Sequence, residues 1–285
     1  MLATIVWQPD PIAFSCFGFD IRWYSLCWCC ALMAGYFVMA QLYKYQRISK
    51  EKFEPLFLYI FIGVLVGARL GHCLFYEPAY YLNHIVEMLL PIKQDAYGKW
   101  HLVGYEGLAS HGGVIGMIAA IVLYSRKCKI NLMRVLDNMG IVAPISAAFI
   151  RIGNLFNSEI VGHPTDMPWG FIFVHNNESF PRHPAQLYEA IFYTLLFIVT
   201  LIIYKKMNSR IGTGFFFGLC LTTIFSFRIL VEFFKDNQVG FENAMILNMG
   251  QLLSIPLIAV GVYCMAHGKW CAKLSEKQES NVLGL

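Results

Sequence analysis

The chain has 285 residues, of which 57% are apolar and 15% aromatic; only 14% are charged, and the formal net charge is +4. That balance excludes a disordered chain and argues against an ordinary water-soluble domain, which needs more charge to cover its surface. It points to a single integral membrane domain over 1–285.

Nine cysteines fall mostly inside apolar runs. Cys27 and Cys30 form a C-x-x-C, yet no histidine or second cysteine pair supplies the ligands of a metal site, so they read as small packing residues. The first twenty residues lack a basic start and a compact apolar core, so no cleavable signal peptide is expected.

A bilayer core needs about 20 apolar residues per helix. Seven runs approach that length, at 21–43, 56–76, 111–125, 135–157, 187–204, 212–234 and 246–267, which predicts an all-α protein with seven transmembrane helices. Basic residues cluster after the odd-numbered runs: Lys44, Arg47, Lys50 and Lys52; Arg126, Lys127, Lys129 and Arg134; Lys205, Lys206 and Arg210; Lys269, Lys273 and Lys277. The alternate loops hold few. The positive-inside rule then places the N-terminus outside and the C-terminus in the cytoplasm.

In chain order, Tyr24 opens the first helix, either as an aromatic anchor at the membrane surface or as a hydroxyl offered to a headgroup. The second helix places Arg69, His72 and Tyr76 on one face. Its glycines 63, 67 and 71 recur every fourth residue, a ridge on which another helix can approach closely. Residues 77–110, with Pro78 and Pro91, are expected to form an outer arm. His111 opens the third helix beside Gly112 and Gly113, as a structural residue or as a base.

The fourth run ends in PISAAFIRIGNLFNSEIVG, from Pro144 to Gly162, which brings Arg151, Asn154, Asn157 and Glu159 close together. An arginine at membrane depth costs roughly 2.5–3.5 kcal/mol on insertion scales, so something must offset it. One reading is an interhelical ion pair or a snorkelling side chain. The other is an anionic lipid headgroup, since a guanidinium is the natural bidentate partner of phosphate.

Residues 158–186, punctuated by prolines and Asn176-Asn177, are expected to form an ordered outer head with turns or short strands. The stretch RHPAQLYE then enters the fifth helix with Gln186 and Glu189 on one face. The sixth helix carries Arg228, Glu232 and Lys235, where Arg228 and Glu232 also fit a local ion pair. Three arginine-bearing helices would repel one another unless anions lie among them, and Glu159, Glu189, Glu232 or a bound phosphate are the candidates. The tail 275–285 is polar and expected to be mobile.

The blocks SHGGVIG, RIGNLFNSEIVG, RHPAQLYE and FRILVEFF, in this order, resemble the bacterial prolipoprotein diacylglyceryl transferases, from about residue 23 to about residue 256. The resemblance implies a multi-pass protein of the bacterial inner membrane. Its partners would be phosphatidylglycerol, the bilayer and prolipoprotein signal peptides with a lipobox cysteine, with no nucleic acid, metal or cofactor. The implied reaction moves the sn-1,2-diacylglyceryl group onto the cysteine thiol and releases glycerol-1-phosphate.

His111, Arg151, Arg228 and Glu232 would then be catalytic. Tyr24, Arg69, Asn154, Glu159, Gly162 and Lys235, with Arg151 again, would bind substrate. Two positions depart from the family pattern: Ile224 replaces a tyrosine, and Lys235 replaces an arginine, keeping the charge without the planar fork. From other classes, a transporter of an anionic solute and a non-catalytic lipid-binding factor also fit intramembrane arginines.

Overall fold

The computed structural model describes residues 5–16, 18–90, 92–95, 98–102, 107–236 and 247–268. Helices dominate. Six are long and apolar enough to cross a membrane: α1 (Trp23–Tyr45), α2 (Lys50–Phe75), α6 (Leu132–Phe156), α7 (Ala185–Lys206), α8 (Phe215–Glu232) and α9 (Met249–Ala266). Two short helices, α3 (Pro78–Tyr81) and α4 (Ile85–Leu89), precede α5 (Ser110–Cys128). The expected third run is therefore helical as α5, over 19 residues, but it is not among the six.

The all-helical expectation is modified, among the described residues, by six short strands paired as three two-stranded ribbons. They are β1 (Ile5–Trp7), β2 (Ile12–Cys16), β3 (Phe19–Arg22), β4 (Ile92–Gln94), β5 (Trp100–Leu102) and β6 (Phe171–Phe173). Most carry β-branched or aromatic residues, which favour the extended backbone.

The chain divides into two compact units, the first comprising Met1–Leu42 and Leu136–Ser275, the second Tyr43–Val135 and Glu276–Leu285. In the first, α6 carries Asp137, fully buried, whose carboxylate accepts from the backbone N–H groups of Gly212 (2.8 Å), Gly214 (3.1 Å) and Phe217 (3.0 Å). Gly214 is the N-cap of α8 and Phe217 lies in its first turn, with Gly212 in the turn before, so an aspartate distant in sequence caps that helix. Gly218 of α8 and Gly261 of α9 let their backbones meet, since a Cβ on Gly218 would lie 2.4 Å from the Gly261 carbonyl oxygen. Phe192 of α7 stacks on Phe227 of α8 with ring centroids 3.7 Å apart. Parallel pairing of β1 with β6 brings Trp7 over a core of Leu155, Phe171 and Phe173, and the Trp7 indole N–H donates to the Leu155 carbonyl at 2.9 Å. Leu32, Met33 and Phe37 of α1 and Leu195, Ile198 and Ile202 of α7 are exposed. On helices of this composition that is the surface a multi-pass protein turns to lipid.

In the second unit, the glycine ridge of α2 meets α5 as its spacing predicts. A Cβ at Gly67 would sit 2.4 Å from the Gly112 carbonyl oxygen, and one at Gly63 2.7 Å from that of Gly116. Residues 77–110 hold α3, α4 and the β4–β5 hairpin. Arg69 of α2 secures them, donating from Nη2 to the Glu87 carbonyl (2.6 Å) and from Nε to the Met88 carbonyl (3.2 Å), with its guanidinium 4.8 Å from the Tyr81 ring centroid. Buried Glu87 accepts from the Tyr80 hydroxyl at 2.6 Å and from the Gln94 amide at 3.1 Å. The tyrosine bond, with that amide, holds the carboxyl below its ordinary range. The expected mobile tail, 275–285, lies outside the described residues.

Candidate functional site

The polar residues of the fourth run gather at the end of α6. The helix stops at Phe156, and two residues on, Ser158 takes a left-handed backbone (φ 54°) with its N–H on the Leu155 carbonyl. This tight exit folds Glu159 back over the last turn. Its Oε1 accepts from the Asn154 side-chain amide at 2.7 Å and from that of Asn157 at 3.4 Å. Asn154 in turn accepts at Oδ1 from Arg151 Nη1, 3.2 Å away. Asparagine at this position thus ties the arginine to the glutamate through both ends of one amide.

From Arg151 the contacts continue into the neighbouring helices. Its Nε lies 3.0 Å from Oε2 of Glu189, one turn into α7 and fully buried. The same Oε2 lies 3.1 Å from Nζ of Lys235, whose residue is only 3% exposed. Lys235 also approaches Glu232 Oε1 at 3.5 Å, and Glu232 faces Arg228 Nε at 3.7 Å. At the far end the Asn248 amide donates to Glu232 Oε2 at 3.0 Å, while the Asn248 side chain caps α9 in a reciprocal bond pair with Gln251. Charge therefore alternates along Arg151–Glu189–Lys235–Glu232–Arg228, and Glu159, joined to Arg151 through Asn154, is a third carboxylate beside the three cations. Arg228 Nε has no hydrogen-bond partner among the described residues, although the side chain is 39% exposed. Nothing among the described residues accepts from Arg151 Nη2. Both guanidiniums keep donors to offer.

The loop that follows packs against the end of α8. Gly162 donates its N–H to the His183 carbonyl (2.9 Å) and accepts at its own carbonyl from Arg182 Nη1 (3.1 Å), and His163 donates its N–H to the Phe234 carbonyl (2.8 Å). Arg182 pairs with Glu178 at 2.6 Å and with Asp236, which also holds His163 at 2.5 Å. These carboxylates raise the Arg182 pKa against the opposing effect of burial. Burial, with the neighbouring His163, pushes that of His183 down.

Tyr24 lies against this helix end: its ring would be 3.0 Å from a Cβ on Gly153, so the glycine between Arg151 and Asn154 makes room for it. The sequence-derived candidates Arg151, Asn154, Glu159, Arg228, Glu232 and Lys235 thus form one network, with Tyr24 and Gly162 on its flanks. Arg69 belongs to the second unit and binds carbonyls there. His111 belongs to the same unit, exposed in the first turn of α5. Asn248 escaped the sequence reading; only its place before an apolar run with glutamine three residues on could have marked it, as a cap. Glu189 stood out in the sequence as a neutraliser, not as the hub it forms.

Among the described residues no cluster of three or more metal-binding side chains occurs. A family model described as prolipoprotein diacylglyceryl transferase matches residues 11–267. The phosphatidylglycerol–prolipoprotein diacylglyceryl transferase of Bacteroides fragilis (strain YCH46) is 54% identical over 265 residues, covering 93% of this chain and 95% of its own. Enzymes of the same name from Chloroherpeton thalassium and Tolumonas auensis are 41% and 37% identical, covering 90% and 92% of this chain and 92% and 96% of theirs.

Proposed function

Because the chain belongs to the prolipoprotein diacylglyceryl transferase family, we propose that it transfers the sn-1,2-diacylglyceryl group of phosphatidylglycerol to the lipobox cysteine of prolipoproteins. The observation that carries this reading is the network of Arg151, Glu189, Lys235, Glu232 and Arg228, in which two guanidiniums on neighbouring helices are held by carboxylates and keep donors to spare. A phosphodiester supplies the anionic oxygens that such donors bind.

In the reaction the cysteine sulfur attacks the glyceryl carbon that bears the phosphate. The carbon–sulfur bond forms as the carbon–oxygen bond breaks, and the bonding pair leaves on the phosphate oxygen as glycerol-1-phosphate. Negative charge builds on that oxygen, where Arg151 and Arg228 stabilise it more in the transition state than in the bound lipid. The thiol, with a pKa near about 8.5, must also lose its proton, and His111 is the proposed acceptor. Glu232 orients Arg228; Asn154 and Glu159 orient Arg151. Tyr24 and Gly162 shape the flanks of the lipid site, Lys235 adds to the positive field behind it, and Arg69 acts through the segment it secures.

In this reading α5 is a seventh membrane-spanning helix, the N-terminus lies outside the bacterial inner membrane, and residues 77–110 and 158–186 form an outer arm and head. No observation favours the transporter or the non-catalytic lipid-binding reading. The test is a lipidation assay with purified protein, labelled phosphatidylglycerol and a lipobox peptide. Wild type is expected to lipidate the thiol and release glycerol-1-phosphate, and Arg151→Ala to lose at least a thousandfold in rate. An unmodified thiol with wild type overturns the function, and full turnover by Arg151→Ala removes that arginine from the mechanism.

A further inference from the structure

Among the carboxylates of the network, Glu189 stands apart. Glu159 is exposed and Glu232 retains 10% side-chain exposure, but Glu189 has none. A carboxylate fully removed from water is tolerated only when its charge is matched at close range. Here a single oxygen, Oε2, meets both Arg151 Nε at 3.0 Å and Lys235 Nζ at 3.1 Å, and the other, Oε1, accepts from the Tyr193 hydroxyl at 3.3 Å. The helix that supplies it is tied to the α6 exit one turn earlier, where the Gln186 side-chain amide donates to the Glu159 carbonyl.

Resting on the function proposed above, we propose that Glu189 is the positioning residue of the phosphate site, holding the Arg151 guanidinium at its reach by charge, with Lys235 as its second counter-ion. A guanidinium has five donors in one plane. Glu189 Oε2 draws the Nε side by charge at 3.0 Å, without an aligned hydrogen bond, while Asn154 accepts one hydrogen of Nη1; together they hold the group in place and leave Nη2 to the lipid. Lys235, at 3% exposure and committed to Glu189 and Glu232, acts on the lipid through Glu189 and not by direct contact. This also accounts for lysine where the family pattern has arginine: a counter-ion to a buried carboxylate needs a point charge, not a planar fork.

Positioning and plain charge make opposite predictions. Neutralising Glu189 raises the local positive charge, so simple attraction for an anionic lipid predicts unchanged or tighter binding and unimpaired turnover. A positioning role predicts that the lipid still binds while the misplaced guanidinium fails at the transition state.

The test compares wild type with Glu189→Gln, Glu189→Asp and Glu189→Gln/Lys235→Met. Each is purified in lipid nanodiscs and assayed for transfer from phosphatidylglycerol to a lipobox peptide, with rates expressed per folded molecule. Glu189→Gln is expected to lower kcat at least a hundredfold with KM for the lipid within threefold of wild type, and Glu189→Asp to recover about tenfold of that loss. The double variant removes one charge of each sign and so keeps the balance should the single variant fail to fold; its kcat is expected to stay at least fiftyfold down, because Arg151 still lacks its anchor. A kcat per folded molecule within threefold of wild type in Glu189→Gln, or in the double variant, overturns the proposal and reduces Glu189 to a structural ion pair. Inactive wild type in the same assay would instead overturn the underlying function.

Discussion

Gly162 shows how little slack surrounds the network. A Cβ there would lie 2.4 Å from the Phe234 carbonyl oxygen and 2.7 Å from the His183 Cβ, so the loop and the end of α8 cross at backbone contact. Lys235 follows directly on Phe234. Gly162→Ala must therefore separate the two strands and draw the Lys235 ammonium off Glu189. Overpacking of this kind costs about 1–3 kcal/mol, and the expected outcome is a lower Tm with transfer reduced at least tenfold; wild-type activity in Gly162→Ala would show that the crossing does not govern the site. His183 sits in the same crossing. Burial and the neighbouring His163 hold its pKa below 6.5, so the folded loop prefers the neutral ring. Its contribution to stability is complete above 6.5 and is lost as pH falls below that value toward the folded pKa. Amide exchange at Gly162 and His183, corrected for intrinsic rates, is expected to speed up between about pH 7.5 and 5, and His183→Gln to abolish the change. A flat profile in wild type would count against it.

At the scale of the element, apolar periodicity and length made the helices legible, since a run of 20 apolar residues has few alternatives. The ends drifted both ways: α2 continues past its apolar core back to Lys50 and α5 on to Cys128, while α8 and α9 are shorter than their apolar runs at each end. The glycine ridge of α2 was legible too, because its four-residue step is local. Long-range polar contacts were not. Nothing in the sequence near Asp137 shows that it caps α8, and nothing in RHPAQLYE shows that one oxygen of Glu189 joins Arg151 to Lys235; both depend on how helices distant in sequence are packed. The Asp137 cap is testable. It holds Gly212 and Gly214, both at positive φ, and orders the first turn of the helix that later carries Arg228. Asp137→Ala leaves three backbone donors without their acceptor and is expected to cost ~2–4 kcal/mol, read as a fall in Tm. Because Arg228 lies several turns away, activity per folded molecule should change less than threefold. A loss of activity with Tm unchanged would contradict that division of labour.

For the whole molecule, the residues that make the network come from matching helix ends. Arg151 and Asn154 lie at the end of α6, Glu189 at the start of α7, Arg228 and Glu232 at the end of α8, and Asn248 caps the start of α9. The contacts of the network gather all four ends together, away from the last turn of α7 with Lys205 and Lys206, and in the proposed topology they share one membrane face. Because basic residues mark the cytoplasmic side, the proposed topology puts the network at the outer leaflet, the side from which the proposed lipobox substrate would come. Two exposed positions test this in a cysteine-free background: Asp166→Cys, in the loop beside the network, and Ser209→Cys, between α7 and α8. A membrane-impermeant maleimide applied to spheroplasts is expected to label Asp166→Cys and to reach Ser209→Cys only after lysis. The reverse pattern would turn the guanidiniums toward the cytoplasm, on the wrong side of the bilayer from the thiol they are proposed to serve.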